Sequence, residues 1–504
     1  MELKNLIANF KTIVLSLVLG FGTFAMAANT VSIEKEQFNI TQEEAVAQDV
    51  AAFSLSAYSE HAGGGAHDGP ASWAVIPFIT LLLMIATGPL FYARFWHHYY
   101  PHVSVLLGVG VAAYYIFALG DVHHPVHALA EYASFIALLA ALFVASGGIL
   151  IKVDKPGRPL VNVVLLIFGA AISNIIGTTG ASMLLIRPFI RLNGNRIKPL
   201  HVVFFIFMVS NVGGSLTPIG DPPLFLGFLK GVDFFWTVEN VWMQWIFGIG
   251  LLAIIFFILD TRSLKKDPVE EGDYTGRISV KGGKNVLWLA ITIAAVFIDP
   301  NVMDWVPYID YHGDKVSYMR ELIMLATAFF SYRFSDQEAL KGNEFNFEPI
   351  REVAFIFIGI FGTMMPALQM VGAFAKANPD MITDNVLYWA TGVLSGVLDN
   401  APTYLNFLAA ALAKLGMDIG NKADVIAFAA DQVVTLSAIS VAAVFFGAMT
   451  YIGNAPNFMV KSIAEQNGIE MPAFAAYVVK YSVPILLPVL ALTWVVFYFL
   501  PTII

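Results

Sequence analysis

The sequence has no cysteine and is poor in charged residues. None of its 504 residues is cysteine, which excludes disulfide bonds, thiolate metal sites and iron–sulfur clusters. Charged residues make up 13% of the chain, compared with about 25% in soluble globular proteins. The net charge of -9 provides no basis for nucleic-acid binding. The composition therefore excludes most soluble classes of protein, and it predicts no nucleic-acid partner.

Sequence motifs typical of membrane enzymes are also missing. No His-Glu-x-x-His, Gly-x-Ser-Gly or Gly-x-Gly-Asp element occurs in the sequence, and patterns of this kind carry catalytic side chains. We therefore expect that the protein is not an enzyme.

Apolar residues, by contrast, are abundant and lie in long runs. They make up 58% of the chain, and the mean hydropathy is +0.71. A helix needs about 20 apolar residues to cross a bilayer core of ~30 Å, so the pattern predicts an all-α polytopic protein of the inner membrane, with about 10–11 transmembrane helices. The first two helices are expected within residues 71–130. The runs are Trp73–Tyr92, Val103–Gly120, Tyr132–Ile151, Val202–Leu229, Trp242–Leu259, Val286–Ile298, Tyr318–Tyr332, Val353–Phe374, Val433–Met459 and Tyr477–Leu500.

The N-terminal residues 1–27 resemble a secretory signal. Lys4 and Lys11 flank a short apolar core, and Ala25-Met26-Ala27 offers a small-residue cleavage site. An uncleaved first helix is the alternative. The polar stretch 28–70 ends in a Gly/His-rich tract, which is typical of a flexible, exported tail.

A further apolar segment, Leu160–Ile186, is flanked by cations on both sides. Cytoplasmic loops carry the excess of Lys and Arg, so a single crossing would place one of the two cation clusters on the wrong face. A re-entrant hairpin over residues 160–190 keeps both clusters in the cytoplasm. The same rule places a cytoplasmic loop in the stretch 261–350, which also contains linking helices. The flanking cations are Lys152, Lys155, Arg158, Arg187, Arg191, Arg196 and Lys198.

The chain contains an internal repeat. Glu131 opens one apolar run and Glu352 opens another 221 positions later. The same offset aligns Thr178-Thr179 with Asp399-Asn400, and an offset of 233 aligns Thr217–Pro223 with Thr450–Pro456. Because the predicted orientation makes the two copies run in opposite directions, the repeat is inverted, as in many secondary transporters. The predicted parts are repeat 1 (131–260), with hairpin 160–190 and broken helix 202–229, and repeat 2 (351–504), with hairpin 386–412 and broken helix 433–459.

Two acidic residues lie in these apolar repeats. An ionised carboxylate is costly in hydrocarbon and normally faces a functional cavity, so Asp399 and Asp221 are candidate Na⁺ ligands. A structural salt bridge is the alternative for Asp399, and a turn cap for Asp221. Polar residues near the predicted breaks offer neutral oxygens to the same ion, namely Thr178, Thr179, Asn211, Thr217, Asn400, Thr403, Thr450 and Asn454.

Two other ionisable features have an open interpretation. Glu131 and Glu352 either take part in gating or are simple N-terminal helix charges. The His-rich stretch 121–127 either senses external pH or is an ordinary solvated loop.

The Thr217–Pro223 run and the Leu398–Pro402 element resemble signature loops of the ion-transporter superfamily. The sequence resembles in particular its NhaD-type sodium/proton antiporters, with the ArsB-type arsenite-efflux and citrate carriers beside them. It covers about Glu131 to Ile504. It implies two re-entrant hairpins, a dimer, and a substrate near Asp399, Asn400, Thr217 and Asp221.

We expect a secondary transporter, with Na⁺/H⁺ antiport at a midplane site as the first interpretation. Asp399 would alternate between a proton and Na⁺, and no cofactor is expected beyond these transported ions. Uptake of citrate or another carboxylate (or an arsenite-type anion), coupled to Na⁺ or H⁺, is the alternative. It is disfavoured because Arg187, the arginine nearest a hairpin, is placed in the cytoplasm by the distribution of positive charge.

Overall fold

The computed structural model describes residues 70–266, 268, 275–300, 303, 305–311 and 314–502. The predicted signal segment 1–27 and all but the last residue of the predicted tail 28–70 lie outside the described residues. Contacts divide the chain into the units Met1–Ala74 and Val75–Ile504. The architecture below is that of the second unit.

The second unit is predominantly α-helical, as the sequence predicts. Its helices are α1 (Ile76–Phe91), α2 (Ala93–Ala113), α3 (His123–Gly147), α4 (Pro159–Asn193), α5 (Pro199–Met208), α6 (Pro222–Lys230), α7 (Trp236–Lys266), α8 (Lys284–Val296), α9 (Met319–Phe334), α10 (Gln337–Gly342), α11 (Glu348–Ala377), α12 (Asp384–Val397), α13 (Asn400–Lys414), α14 (Lys422–Asp431), α15 (Val433–Phe446), α16 (Ala455–Gln466) and α17 (Phe474–Phe499, with π-helical turns). Its short strands are β1 (Leu150–Val153), β2 (Ile278–Lys281), β3 (Ile309–Tyr311) and β4 (Asp314–Val316).

Seven helices among the described residues are long and apolar enough to cross a membrane, or eight if the bent pair α14–α15 is one span. The chain is therefore a multi-pass membrane protein. Six of the ten apolar runs of the sequence lie in helices of this length, and the seventh such helix is α4. The other four runs form the broken pairs α5–α6 and α15–α16 and the shorter helices α8 and α9.

Helix α4 folds back on itself. Its backbone leaves the helical region at Gly177, with φ 77° and ψ 154°, a conformation that favours glycine. Asn162 near its start and Asn193 at its end exchange two amide hydrogen bonds of 2.8 and 2.9 Å. Because both ends of the segment meet, α4 is a re-entrant hairpin, called hairpin 1 below.

Helices α12 and α13 form the second re-entrant hairpin, called hairpin 2. Leu398 and Asp399 separate the two arms, and the Asp399 carboxylate caps α13 by accepting a hydrogen bond from the Ala401 amide at 3.0 Å. At the other end, Lys414 Nζ donates to the carbonyl of Ile382 at 2.7 Å. The two arms therefore begin and end at the same level.

The two repeats make equivalent contacts. In each repeat the hairpin tip is hydrogen-bonded to the broken helix of the same repeat, and a serine on the first arm bonds to a carbonyl of the half-helix before the break. These bonds are Thr178 N to Gly220 O at 2.8 Å, Asn400 N to Gly453 O at 3.2 Å, Ser173 Oγ to Val209 O at 2.8 Å and Ser395 Oγ to Ala443 O at 2.5 Å.

Equivalent residues of the two repeats also contact one another. The Tyr132 hydroxyl donates to the Ala354 carbonyl at 3.0 Å across a separation of 222 residues. Phe135 stacks on Phe357 with ring centroids 4.6 Å apart. The repeats thus meet along α3 and α11, as expected for two copies related by a two-fold axis.

These contacts shift the sequence alignment of the hairpins by one residue. A separation of 222 places Thr178 opposite Asn400, and it places Gly177 opposite Asp399. Hairpin 1 therefore turns on a glycine where hairpin 2 turns on an aspartate. Only one of the two tips carries an acid.

Two antiparallel ribbons, β1 with β2 and β3 with β4, lie outside the helices. The sequence does not predict them, because short strands carry little periodic signal. The first ribbon is attached to α10 by ion pairs from Lys281 and Lys152 to Glu338. Hydrogen bonds from these two amines hold the pKa of the Glu338 carboxyl below its ordinary value.

Candidate functional site

Asp221 lies at the centre of the molecule in a cage of neutral donors. Its side chain is 1% exposed. Oδ1 accepts from Thr178 Oγ1 at 2.7 Å and from Asn454 Nδ2 at 2.8 Å, and Oδ2 accepts from Asn400 Nδ2 at 2.6 Å. These donors come from both hairpin tips and from the break in the second repeat. One carboxylate therefore joins three of the predicted elements.

The position of Asp221 in the sequence explains its orientation. It is the N-cap residue of α6, a place where aspartate normally bonds to its own helix, yet its side chain makes no capping bond. Asn454, its equivalent 233 residues later, stands at the N-cap of α16 and also makes no capping bond. The two side chains turn away from their helices and meet each other.

A network of side-chain amides connects the cage to the backbone of the two broken helices. Asn211 Nδ2 donates to Asn457 Oδ1 at 2.7 Å, and Asn454 Nδ2 reaches the Ser210 carbonyl at 3.1 Å. Asn457 Nδ2 in turn donates to the carbonyls of Gly447 and Thr450. The side chains thereby satisfy backbone groups that the broken helices leave without helical partners. Asn457 was not predicted from the sequence, although it lies in the same break as Asn454.

Three of the predicted threonines shape the backbone of the site. Thr217 Oγ1 donates to the Asn174 carbonyl at 2.5 Å and accepts from the Gly220 amide. Thr450 Oγ1 accepts from the Gly453 amide in the same way, and Thr403 Oγ1 donates to the carbonyl of Asp399 at 2.9 Å. These hydroxyls are already engaged in stabilising the loops and the start of α13.

Asn400 has one free ligand atom. Its side chain is 0% exposed, its Nδ2 donates to Asp221, and its Oδ1 has no hydrogen-bond partner among the described residues. A buried oxygen without a donor is uncommon. The oxygen lies beside the carboxylate cage, as a ligand for a cation would.

A cavity of about 370 Å³ reaches this region from one side and is called cavity 1. Asp399, Thr179 and Asn454 line it, as do Glu352 and Glu348 at the start of α11. The Asp399 side chain is 8% exposed. A molecule in cavity 1 would thus contact both a hairpin tip and a broken helix.

Arg187 also lines cavity 1, so the arginine that the sequence assigns to the cytoplasmic side borders the candidate site. It belongs to the second arm of hairpin 1 and is 6% exposed. Nη2 donates to Glu344 Oε2 at 3.0 Å, while Nε and Nη1 have no partner in the part of the chain that is described. The distribution of charges along a sequence predicts sidedness but not burial within the protein.

Glu344, the partner of Arg187, is itself unusual. Its side chain is 63% exposed in the ion pair. Its backbone has φ 48°, a left-handed conformation that costs a non-glycine residue about 1–2 kcal/mol. The structure therefore holds this carboxylate over the guanidinium at the expense of local strain.

A second cavity, called cavity 2, has a volume of about 350 Å³. It lies among α3, α11 and the end of α13, and Glu131, Lys230 and residues of the His-rich stretch line it. Ala409, the equivalent of Arg187 on the second arm of hairpin 2, also lines it. Each cavity is thus bordered by the second hairpin arm of one repeat and by the beginning of the long helix of the other.

Comparison with known proteins gives one match. Residues 68–498 match the model of a family described as "Putative citrate transport". No curated protein matches the chain. The match covers both hairpins, both broken helices and every residue of the two cavities named above. The chain therefore belongs to this family of transport proteins.

Proposed function

We propose that the protein is a secondary active transporter of citrate or a similar carboxylate, coupled to Na⁺ or H⁺. The observation that carries this proposal is the guanidinium of Arg187, which lines cavity 1 and has two buried nitrogens with no hydrogen-bond partner among the described residues. Arginine binds carboxylates through two parallel N–H donors. The family match supports the same substrate class.

The remaining parts of the site have separate roles in this proposal. Thr179 offers a hydroxyl contact to the anion within cavity 1. Asp399, Asp221 and the free oxygen of Asn400 hold the coupling cation or proton, because carboxylate and amide oxygens are the ligands that such ions take. Movement of the hairpins relative to α3 and α11 would open the site to each side in turn.

Na⁺/H⁺ antiport without an organic substrate is the second candidate function. Two buried aspartates favour it, and so does the Asn400 oxygen that has no hydrogen-bond partner in the described part of the chain. Under this candidate the Arg187 guanidinium has no substrate to bind. The two functions are therefore separated by the role of Arg187.

The first prediction concerns Arg187→Gln. The variant is expected to raise KM for citrate by about tenfold to a hundredfold, because hydrogen bonds to a charged group contribute about 1.5–3 kcal/mol. It should fold, because the exposed carboxylate of Glu344 remains solvated when its partner is removed. The measurement is uptake of labelled citrate into proteoliposomes under a Na⁺ or H⁺ gradient.

Arg191→Gln is the matched control for this experiment. Arg191 lies one turn further along the same arm, is exposed, and donates to the Gly342 carbonyl at 3.0 Å. Its replacement should leave citrate uptake unchanged. The carboxylate proposal is wrong if the wild-type protein moves no citrate. Antiport is favoured if the wild-type protein and both glutamine variants exchange Na⁺ for H⁺ at the same rate.

A further inference from the structure

Cavity 2 contains a buried ion pair for which the site described above has no use. Lys230 at the end of α6 is 7% exposed, and its Nζ lies 2.7 Å from Glu131 Oε1. Glu131 is 8% exposed, and His127 Nδ1 lies 3.5 Å from the same oxygen. Desolvation makes such a pair a weak contributor to stability. Its presence therefore calls for another reason.

The internal repeat shows that the fold does not need this pair. The residue equivalent to Lys230 in the second repeat is Ile463, which lies at the same place in α16 and lines cavity 1. An apolar side chain thus occupies the equivalent position in the second repeat, in a half-helix that continues to Gln466. The lysine is a feature of cavity 2 and not of the repeat.

The two cavities share a chemical arrangement. In each, a buried cation meets one carboxylate of the protein: Arg187 meets Glu344 in cavity 1, and Lys230 meets Glu131 in cavity 2. A carboxylate substrate presents the same group as a glutamate side chain. The ionisable lining of cavity 2 is mainly basic, and it comprises Lys230, Lys376, His123, His124, His127, Glu131 and Asp418.

We propose that cavity 2 is a second carboxylate-binding site, on the face opposite cavity 1, in which the incoming anion replaces Glu131 at Lys230. The released Glu131 carboxylate then turns to His127, which already lies beside it. With no substrate present, the Glu131–Lys230 pair occupies the site and closes this access path. The inference rests on the proposed carboxylate transport, and it assigns the carboxylate substrate a second binding site on its path through the protein.

The test is a double-mutant cycle on the ion pair, with KM for citrate measured separately from each face in right-side-out and everted membrane vesicles. Glu131→Gln removes the competing carboxylate, so KM from the face of cavity 2 is expected to fall several-fold. Lys230→Gln removes the cation and should raise the same KM about tenfold, the equivalent of one charge-assisted contact. The double variant should stay as poor as Lys230→Gln.

A purely structural pair predicts the opposite pattern. Each single variant would leave a buried charge without its partner and would impair the protein, and the double variant would restore it. That pattern, or equal changes of KM on both faces, overturns the inference. KM from the face of cavity 1 is expected to stay unchanged in all three variants.

Equilibrium binding of citrate to the purified protein separates this inference from the proposed function. Tighter binding to the Glu131→Gln variant than to wild type supports the second site. If Arg187→Gln weakens citrate transport while Glu131→Gln changes neither binding nor KM, this inference alone fails. If the wild-type protein neither binds nor moves citrate, both proposals fail.

Discussion

Asp221 is a buried acid whose three partners are all neutral donors. Replacement by asparagine keeps its shape but places an amide nitrogen opposite Asn454 Nδ2 or Asn400 Nδ2. Two donors then face each other, which costs about 1–3 kcal/mol for an unsatisfied buried group. Asp221→Asn is therefore expected to abolish transport and to lower the thermal midpoint of the detergent-solubilised protein.

Thr178→Val is a milder change at the same site. It removes one of the three donors to Asp221 and keeps the size of the side chain, so a smaller loss of about 1 kcal/mol is expected. Thermal unfolding and citrate uptake measured side by side should rank wild type, Thr178→Val and Asp221→Asn in that order. If the Asp221→Asn variant transported citrate at the wild-type rate, the Asp221 carboxylate would have no part in coupling.

At the same scale, the sequence predicted the members of the cage but not their roles. Asp221, Asn400, Asn454 and Thr178 meet as expected, because polar residues in apolar runs have few other places to satisfy their hydrogen bonds. The burial of Arg187 beside cavity 1 was not predicted, since the distribution of positive charge gives sidedness and not burial. A cation on a hairpin arm, unlike one in a loop, was the signal that would have found it.

At the scale of elements, α2 and α11 cross at glycines. A Cβ on Gly362 would lie 2.7 Å from the Gly108 Cα, and one on Gly359 would lie 2.8 Å from the Ser104 Cβ. Small residues let membrane helices approach closely. This crossing fixes α11, whose first turns line cavity 1 and whose later turns line cavity 2.

Gly362→Leu is expected to force these helices apart and to destabilise the protein by about 1–3 kcal/mol, the usual cost of overpacking. Gly110→Leu is the control on α2, because a Cβ at Gly110 has no atom within 4 Å. The measurement is the thermal midpoint in detergent. Equal midpoints for the two variants would contradict close packing at this crossing.

The hairpins and broken helices were predictable from the sequence for a physical reason. Cations on both sides of one apolar run, and glycines and prolines within another, are strong local signals. The one-residue error in aligning the hairpins had a physical cause too, because glycine and aspartate both suit a turn. Contacts in the structure reveal the register, among them those of Ser173 and Ser395 with their own repeats.

At the scale of the whole molecule, the inverted repeat produces two cavities, and in the predicted orientation they open to opposite faces. Cavity 1 lies on the side of Glu344 and the start of α11, and cavity 2 lies on the side of the His-rich stretch. The positive charge around hairpin 1 predicts that the first side faces the cytoplasm. Alternating access requires this opposition, since a site that opened only to one side would bind a substrate without moving it.

The absence of cysteine from the chain makes this orientation directly testable. Ser462→Cys places a thiol in cavity 1, and Ala373→Cys places one at an exposed position in cavity 2. A membrane-impermeant thiol reagent should label Ala373→Cys in right-side-out vesicles and Ser462→Cys only in everted ones, and citrate should slow both reactions. The wild-type protein, which has no cysteine, is the negative control for labelling. Labelling of both thiols from one face would contradict the inverted arrangement and, with it, transport through these two cavities.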